Sequence, residues 1–161
     1  MIIAKADSLI ITIDAVVAIK EYYPSGIVNR PPGTRNILLF SGSKKKEFEH
    51  GLTRFIEEAR NMTKFNAHRN IVNVYDVGEE EGNYYIVMEY IEGLSLDAIV
   101  KKRGALDEAK ALSYIRQVAI ALKYVHDHNR LHLDIKPGNI MVDADDRAVL
   151  IDFGISKQIL Q

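Results

Sequence analysis

The order of apolar and polar positions predicts strands in the first part of the chain. Residues 2–6 are short and apolar, and residues 16–22 form an unbroken β-branched and aromatic run that is typical of a buried strand. Residues 72–77 and 84–90 are predicted as two more strands around a polar turn at 78–83. Between these pairs, Pro and Gly punctuate residues 24–42 and leave room for one short strand at 36–40.

Apolar positions repeating every three or four residues predict helices over 45–65 and 106–129. The first stripe consists of Phe48, Leu52, Phe55, Ile56, Ala59 and Met62. The second stripe consists of Leu112, Ile115, Ala119, Leu122 and Val125. A shorter helix is predicted over 94–103, ended by Gly104. Residues 139–142 and 148–151 are predicted to form a hairpin.

The strongest chemical signal is the polar stretch H-L-D-I-K-P-G-N at 132–139, which D-F-G follows at 152–154. The Pro-Gly step favours a loop, so Asp134, Lys136 and Asn139 can point into one cavity instead of lying along a helix. Asn139 and Asp152 offer oxygen ligands of the kind that Mg²⁺ takes alongside phosphate oxygens. Asp134 can accept a proton from an attacking hydroxyl. The structural alternative is one loop aspartate that caps a helix and another that lies in a turn.

H-x-D-x-K-P-x-N followed by D-F-G resembles the catalytic loop and metal-binding motif of protein kinases. The resemblance runs from about residue 2 to residue 157 and is greatest to bacterial serine/threonine protein kinases, because Lys136 and Pro137 favour that branch. It implies an α+β, protein-kinase-like fold: an N-lobe with an antiparallel sheet at 1–88, a hinge at 89–93, and the start of a helical C-lobe at 94–161. It also implies ATP, Mg²⁺ and a protein substrate with Ser or Thr.

The resemblance assigns Lys20 of V-A-I-K to the nucleotide phosphates. It implies that Glu58 on the first predicted helix pairs with Lys20, with the adjacent Glu57 as the alternative. It gives Asp134 the catalytic carboxylate, and it gives Lys136 the role of steadying the transferred phosphoryl group. Asn139 and Asp152 are then the Mg²⁺ ligands. Residues expected around the adenine are Ala18, Met88, Glu89, Ile91 and Met141.

The sequence departs from the kinase pattern at three places. Residues 1–19 contain no glycine, so the Gly-rich loop that covers the phosphates is missing before Lys20. Nothing after Gly154 resembles an activation segment or A-P-E, and Leu133 stands where H-R-D has Arg. We therefore expect a partial kinase domain whose phosphoryl transfer is impaired. Because Leu133 cannot pair with a phosphate as that Arg does, we expect no switch by activation-loop phosphorylation. The alternatives are a nucleotide-binding pseudokinase or interaction module, and a non-functional fragment that does not fold stably alone.

Composition narrows the remaining possibilities. The 161 residues carry a net charge of −1, which gives no electrostatic argument for binding nucleic acid or a membrane surface. No apolar run approaches the roughly 20 residues of a membrane span. Cysteine is absent, which excludes a disulfide framework and a thiolate metal site, and fits a reducing, cytoplasmic location.

Overall fold

An antiparallel sheet forms the centre of the first of two structural units. The computed structural model describes residues 2–5 and 16–152. The first unit combines the residues up to 63 with 74–90, and the second combines 64–73 with the residues from 91 onwards. The elements of the first unit are β1 (Ile2–Lys5), β2 (Val16–Glu21), β3 (Val28–Asn29), β4 (Leu38–Leu39), α1 (Lys45–Met62), β5 (Val74–Glu80) and β6 (Asn83–Glu89).

The sheet has the spatial order β1-β2-β6-β5, and β3 with β4 forms a separate two-stranded ribbon. In the register of β2 with β6, Ala18 lies opposite Met88 and Lys20 lies opposite Ile86. Side chains two residues apart share a face of a sheet, so these four share one face. Ala18, Ile86 and Met88 are buried there. Helix α1 packs on this face, where it buries Phe55, Ala59 and Met62.

The hairpin between β5 and β6 is tighter than the sequence predicted. The strands continue through Glu80 and from Asn83, which leaves a two-residue turn at Glu81 and Gly82. Both turn residues have positive φ, 51° and 77°. Such a turn matches the twist of antiparallel strands, and the polar residues predicted as a long turn are mostly strand.

The second unit contains β7 (Gly93–Ser95), α2 (Leu96–Arg103), α3 (Glu108–Asp127), β8 (Ile140–Asp143) and β9 (Ala148–Leu150). The three strands form a sheet in the order β7-β8-β9, and the predicted hairpin of β8 and β9 is confirmed. The prediction that helix begins at residue 94 is wrong. A short strand comes first, and the Ser95 hydroxyl accepts from the Ala98 N–H as the α2 cap.

Helix α3 begins at Glu108, where the Asp107 carboxylate accepts from the Lys110 N–H. The predicted stripe is not its buried face. Leu112 and Ile115 are 61% and 59% exposed, whereas Val125, from the same stripe, is fully buried. The side chains that α3 does bury are Tyr114, Val118, Ala121 and Val125. Both faces of this helix are apolar, so spacing alone does not distinguish them.

Residues 64–73 join the second unit through a buried amide. Asn70 Nδ2 donates to the Ala148 carbonyl at 2.8 Å and to Gln117 Oε1 at 2.9 Å. The Gln117 oxygen also accepts from the Ala148 N–H. Main-chain bonds between 70–72 and Leu150 extend the contact. The α+β class with antiparallel sheets is thus confirmed. Among the described helices, none has both the length and the apolar content needed to cross a bilayer.

Candidate active site

The loop at 132–139 lies between α3 and β8 in the second unit. Its first residue, His132, is buried at 2% exposure, and the next residue, Leu133, has φ of +63°. This left-handed backbone is unfavourable for any residue that carries a Cβ atom, and so for leucine. It separates a buried imidazole, that of His132, from a solvent-facing carboxylate, that of Asp134, by a single residue. The Pro-Gly step then forms a single 3₁₀ turn, Pro137–Asn139.

Two donors converge on the Asp134 carboxylate. Lys136 Nζ lies 2.7 Å from Oδ2, and Asn139 Nδ2 lies 2.8 Å from the same oxygen. The Lys136 ammonium, helped by the Asn139 amide, holds the pKa of the Asp134 carboxyl below its usual value. The carboxylate is therefore ionised at neutral pH and fixed in direction. The structure brings together the three side chains that the sequence placed in one loop.

The orientation of Asn139 bears on metal binding. Its Nδ2 also donates to the Asp134 main-chain carbonyl at 3.0 Å, so its amide oxygen faces away from Asp134. The Ile151 N–H donates to the Asn139 carbonyl at 3.1 Å, which places Asp152 at the same open end of the hairpin as Asn139. An amide oxygen and a carboxylate are hard donors, and they fit Mg²⁺ if phosphate and water complete its shell. Of the predicted D-F-G, Phe153 and Gly154 lie outside the described residues.

His132 connects the loop with Asp152 electrostatically. Burial lowers the pKa of the His132 imidazole, and the nearby Asp152 and Asp134 carboxylates partly oppose this effect. Both carboxylates are therefore close enough to act on one ring. The Asp134 N–H lies 3.3 Å from His132 Nδ1, which fixes the ring against the loop backbone. The sequence analysis gave His132 no role beyond the motif.

In the first unit, the structure brings Lys20 and Glu58 together. Lys20 Nζ lies 3.5 Å from Glu58 Oε1 and 5.9 Å from the centre of the Phe55 ring. The adjacent Glu57 is exposed, so the geometry favours Glu58 over the alternative. The Glu58 side chain is 17% exposed and that of Lys20 is 33% exposed. A strand lysine held by a helix glutamate is the arrangement that phosphoryl-transfer enzymes of the kinase type require.

The family model described as "Protein kinase domain" matches residues 39–161. The chain belongs to the protein kinase family. The predicted resemblance to bacterial serine/threonine kinases is confirmed by two curated relatives. Serine/threonine-protein kinase PrkC of Bacillus subtilis is 39% identical over 120 residues, covering 74% of this chain. Serine/threonine-protein kinase PknD of Mycobacterium tuberculosis is 43% identical over 88 residues, covering 55% of this chain.

A solved structure titled "PpkA-294 apo form" shares the kinase fold with this chain. The TM-score is 0.82 at 30% sequence identity, with 88% of this chain covered. The chain spans 50% of that structure, 18% of PrkC and 13% of PknD. The likeness therefore concerns one part of each longer kinase.

The residues that the kinase resemblance places around adenine lie in strands or are buried within their own units. Ala18 and Met88 are buried opposite each other on β2 and β6, and Glu89 is the last residue of β6. In the second unit, Ile91 is buried, and Met141 lies on β8 between Ser95 and Val149. Their roles stay predictions that rest on the family.

Two aromatic residues near Lys20 were missed by the sequence analysis. It treated Phe55 as one member of an apolar stripe, yet this ring lies beside the Lys20 ammonium. It gave no role to Tyr22, whose ring centre lies 5.2 Å from that of Phe55. Strand alternation offered a signal for Tyr22, since it follows Lys20 by two residues and shares its face.

Proposed function

We propose that this chain is the catalytic part of a protein serine/threonine kinase, which transfers the γ-phosphoryl group of Mg-ATP to a Ser or Thr hydroxyl of a protein. The single observation that carries this proposal is the Asp134 carboxylate, fixed by Lys136 and Asn139 directly after Leu133, whose backbone is left-handed. A structural cap or a surface turn has no need of two cationic or amide donors on one solvent-facing carboxylate. A base that orients a hydroxyl does need them.

The low pKa of Asp134 defines its part in the reaction. The carboxylate is ionised at neutral pH, so it can accept the proton of the attacking hydroxyl. Its larger contribution is to align the hydroxyl oxygen for in-line attack, since positioning dominates phosphoryl transfer. Lys136, now 2.7 Å from Asp134, carries the positive charge that steadies the transferred group.

The remaining assignments follow the kinase family. Asn139 and Asp152 would hold Mg²⁺, which neutralises phosphate charge. Lys20, positioned by Glu58, would contact the phosphates. The residues proposed to contact adenine are Ala18, Met88, Glu89, Ile91 and Met141. The proposed partners are therefore ATP and a protein substrate that presents Ser or Thr.

The test is transfer of labelled γ-phosphate from Mg-ATP to a generic serine-rich protein such as casein. Asp134→Asn is the inactive variant, because an amide cannot accept the proton. Asp145→Asn is the matched control, on an exposed turn of the β8–β9 hairpin. Transfer that Asp134→Asn removes and Asp145→Asn retains would support the proposal.

Three other results would contradict the proposal. Stabilisation by Mg-ATP without any transfer would identify a nucleotide-binding module of pseudokinase type. A cooperative melt with neither stabilisation nor transfer would contradict nucleotide chemistry altogether. A melt without cooperativity would identify a fragment that does not fold on its own.

A further inference from the structure

The tyrosine that directly follows β2 packs against α1. The Tyr22 hydroxyl donates to the Phe48 main-chain carbonyl at 3.1 Å. Its ring centre lies 5.2 Å from the ring of Phe48 and 5.2 Å from the ring of Phe55. Burial raises the pKa of Tyr22, with a further contribution from Glu47, so the phenol remains a donor at neutral pH. One side chain thus contacts two turns of the helix.

Gly51 makes room for this tyrosine. Glycine in a helix interior is unfavourable relative to alanine, so its presence within α1 needs a reason. A methyl group at Gly51 would overlap the Tyr22 hydroxyl oxygen and would lie 3.2 Å from Tyr22 Cζ. The Tyr22 hydroxyl therefore fits against the backbone of α1 because position 51 has no side chain.

The Tyr22–Gly51 contact and the Lys20–Glu58 pair join the same two elements. The Tyr22 N–H continues the pairing of β2 by donating to the Tyr84 carbonyl, so the side chains of Lys20 and Tyr22, two residues apart, lie on the same face of the sheet. Glu58 follows Gly51 by two helical turns, so both lie on the same side of α1. Phe55 lies between the two contacts, beside Lys20 and against Tyr22. A displacement of the helix at Gly51 would thus move Glu58 as well.

We propose that Tyr22 and Gly51 are positioning residues, which hold α1 in the position relative to β2 at which Glu58 reaches Lys20. This inference rests on the proposed function, which gives the Lys20–Glu58 pair its role at the phosphates. The buried side chains Phe55, Ala59 and Met62 hold α1 on the sheet, whereas the partly exposed ion pair contributes little to its position. The ring of Tyr22 against Phe48 and Phe55, and its hydrogen bond to the helix backbone, add a contact near the N-terminal end of the helix.

Zero-length coupling by a carbodiimide tests the inference without relying on activity. The reagent joins an amine to a carboxylate that already touches it, and peptide mapping by mass spectrometry measures the yield of the Lys20–Glu58 link. The link between Lys123 and Asp127, 2.6 Å apart on α3, serves as the internal reference. The variants are Tyr22→Phe, Gly51→Ala and their combination. Gly42→Ala is the matched glycine control, because open space surrounds that position.

We expect Gly51→Ala to lower the Lys20–Glu58 yield roughly threefold or more relative to the reference, as coupled neighbours do. Tyr22→Phe should lower it less, and the combination should recover part of the loss, because removing the hydroxyl frees the space that the methyl group needs. Gly42→Ala should change nothing. An unchanged yield in Gly51→Ala, or a combination no better than Gly51→Ala alone, would overturn the inference.

Two further measurements distinguish failure of this inference from misfolding and from failure of the proposed function. If Gly51→Ala fails to fold, both links disappear, and Tyr22→Phe decides: an undiminished Lys20–Glu58 yield in that variant overturns the inference. The dissociation constant of Mg-ATP is measured on the same proteins, together with Glu58→Gln. If the link weakens in Gly51→Ala while neither variant changes the affinity for Mg-ATP, the positioning stands and the proposed role of Lys20 and Glu58 fails.

Discussion

The side-chain amide of Asn139 donates to both the carboxylate and the main-chain carbonyl of Asp134, at 2.8 and 3.0 Å. Asn139 is itself buried at 7% exposure. A buried donor pair on one residue fixes the direction of a carboxylate that faces solvent. The same amide thus orients the proposed base and directs its own oxygen away from Asp134.

Replacing Asn139 with Asp should remove both donors and place a second negative charge beside Asp134. We expect a loss of roughly 1–3 kcal/mol in the free energy of unfolding, because the buried position 139 would hold a carboxyl group in place of an amide that donates two hydrogen bonds. Phosphoryl transfer should fall by at least about tenfold, since each 1.4 kcal/mol of lost alignment is a factor of ten. Urea unfolding and a transfer assay measure the two effects. Asn36→Asp, on an exposed loop, is the control. Equal stability and activity in Asn139→Asp and Asn36→Asp would contradict the assigned role.

Glu58→Gln should separate function from stability. The ion pair with Lys20 is partly exposed, so its removal should cost at most about 1 kcal/mol of folding free energy. The affinity for Mg-ATP should nevertheless fall roughly tenfold or more, because Lys20 loses its fixed position at the phosphates. Calorimetric titration and thermal melting measure the two quantities. Glu57→Gln, exposed on the same helix, should leave both unchanged. An equal loss of affinity in both variants would exclude a specific role for Glu58.

Gln117→Ala should destabilise the second unit. Its side chain accepts from Asn70 and from the Ala148 N–H, and it donates to the Asp146 carbonyl at 3.0 Å. Ala148 has no exposed surface, so its N–H would lose its partner in a buried position. The expected cost is roughly 1–3 kcal/mol. Denaturant unfolding measures it, with the exposed neighbour Arg116→Ala as the control. A difference between the two variants smaller than the error would show that water replaces Gln117.

Alkaline unfolding should depend on Tyr114. Its hydroxyl donates to Asp146 Oδ1 at 2.5 Å, and burial together with this bond raises its pKa from 10.0 to about 12. The folded state therefore holds the phenolic proton more tightly than the unfolded state does. The resulting stabilisation is complete below pH 10.0 and is lost as the pH rises through about 12.

The phenolate absorbance of the folded protein, minus that of Tyr114→Phe, reports this titration. Asp146→Asn should move it back towards pH 10.0, and Asp145→Asn should not move it. A titration of Tyr114 in the folded protein near its ordinary value would show that the bond to Asp146 is not maintained in solution.

Local pattern was enough to predict the elements that carry the site. The unbroken β-branched run containing Lys20 and the stripe containing Phe55 each predicted their element, and the structure agrees within a few residues. The loop residues Asp134, Lys136 and Asn139 are close in sequence, so their convergence needed only a Pro-Gly turn.

Features that depend on packing could not be predicted in this way. Strand β7 is three residues long, which is too short for a periodic signal, and its pairing with β8 joins distant segments. Helix α3 is apolar on two faces, and only the packing shows that Tyr114 and Val118 face inwards while Leu112 faces solvent. The reason for a glycine at position 51 exists only once Tyr22 is in place.

The left-handed backbone at Leu133 has a consequence for the order in which the protein folds. An isolated chain avoids this conformation at leucine by about 1–2 kcal/mol. Only surrounding tertiary structure, in which His132 is enclosed, compensates for that cost. The loop is therefore not expected to adopt its native conformation early in folding. Competence for chemistry should emerge as a late event in folding, and it should be the first property to disappear when the protein is warmed.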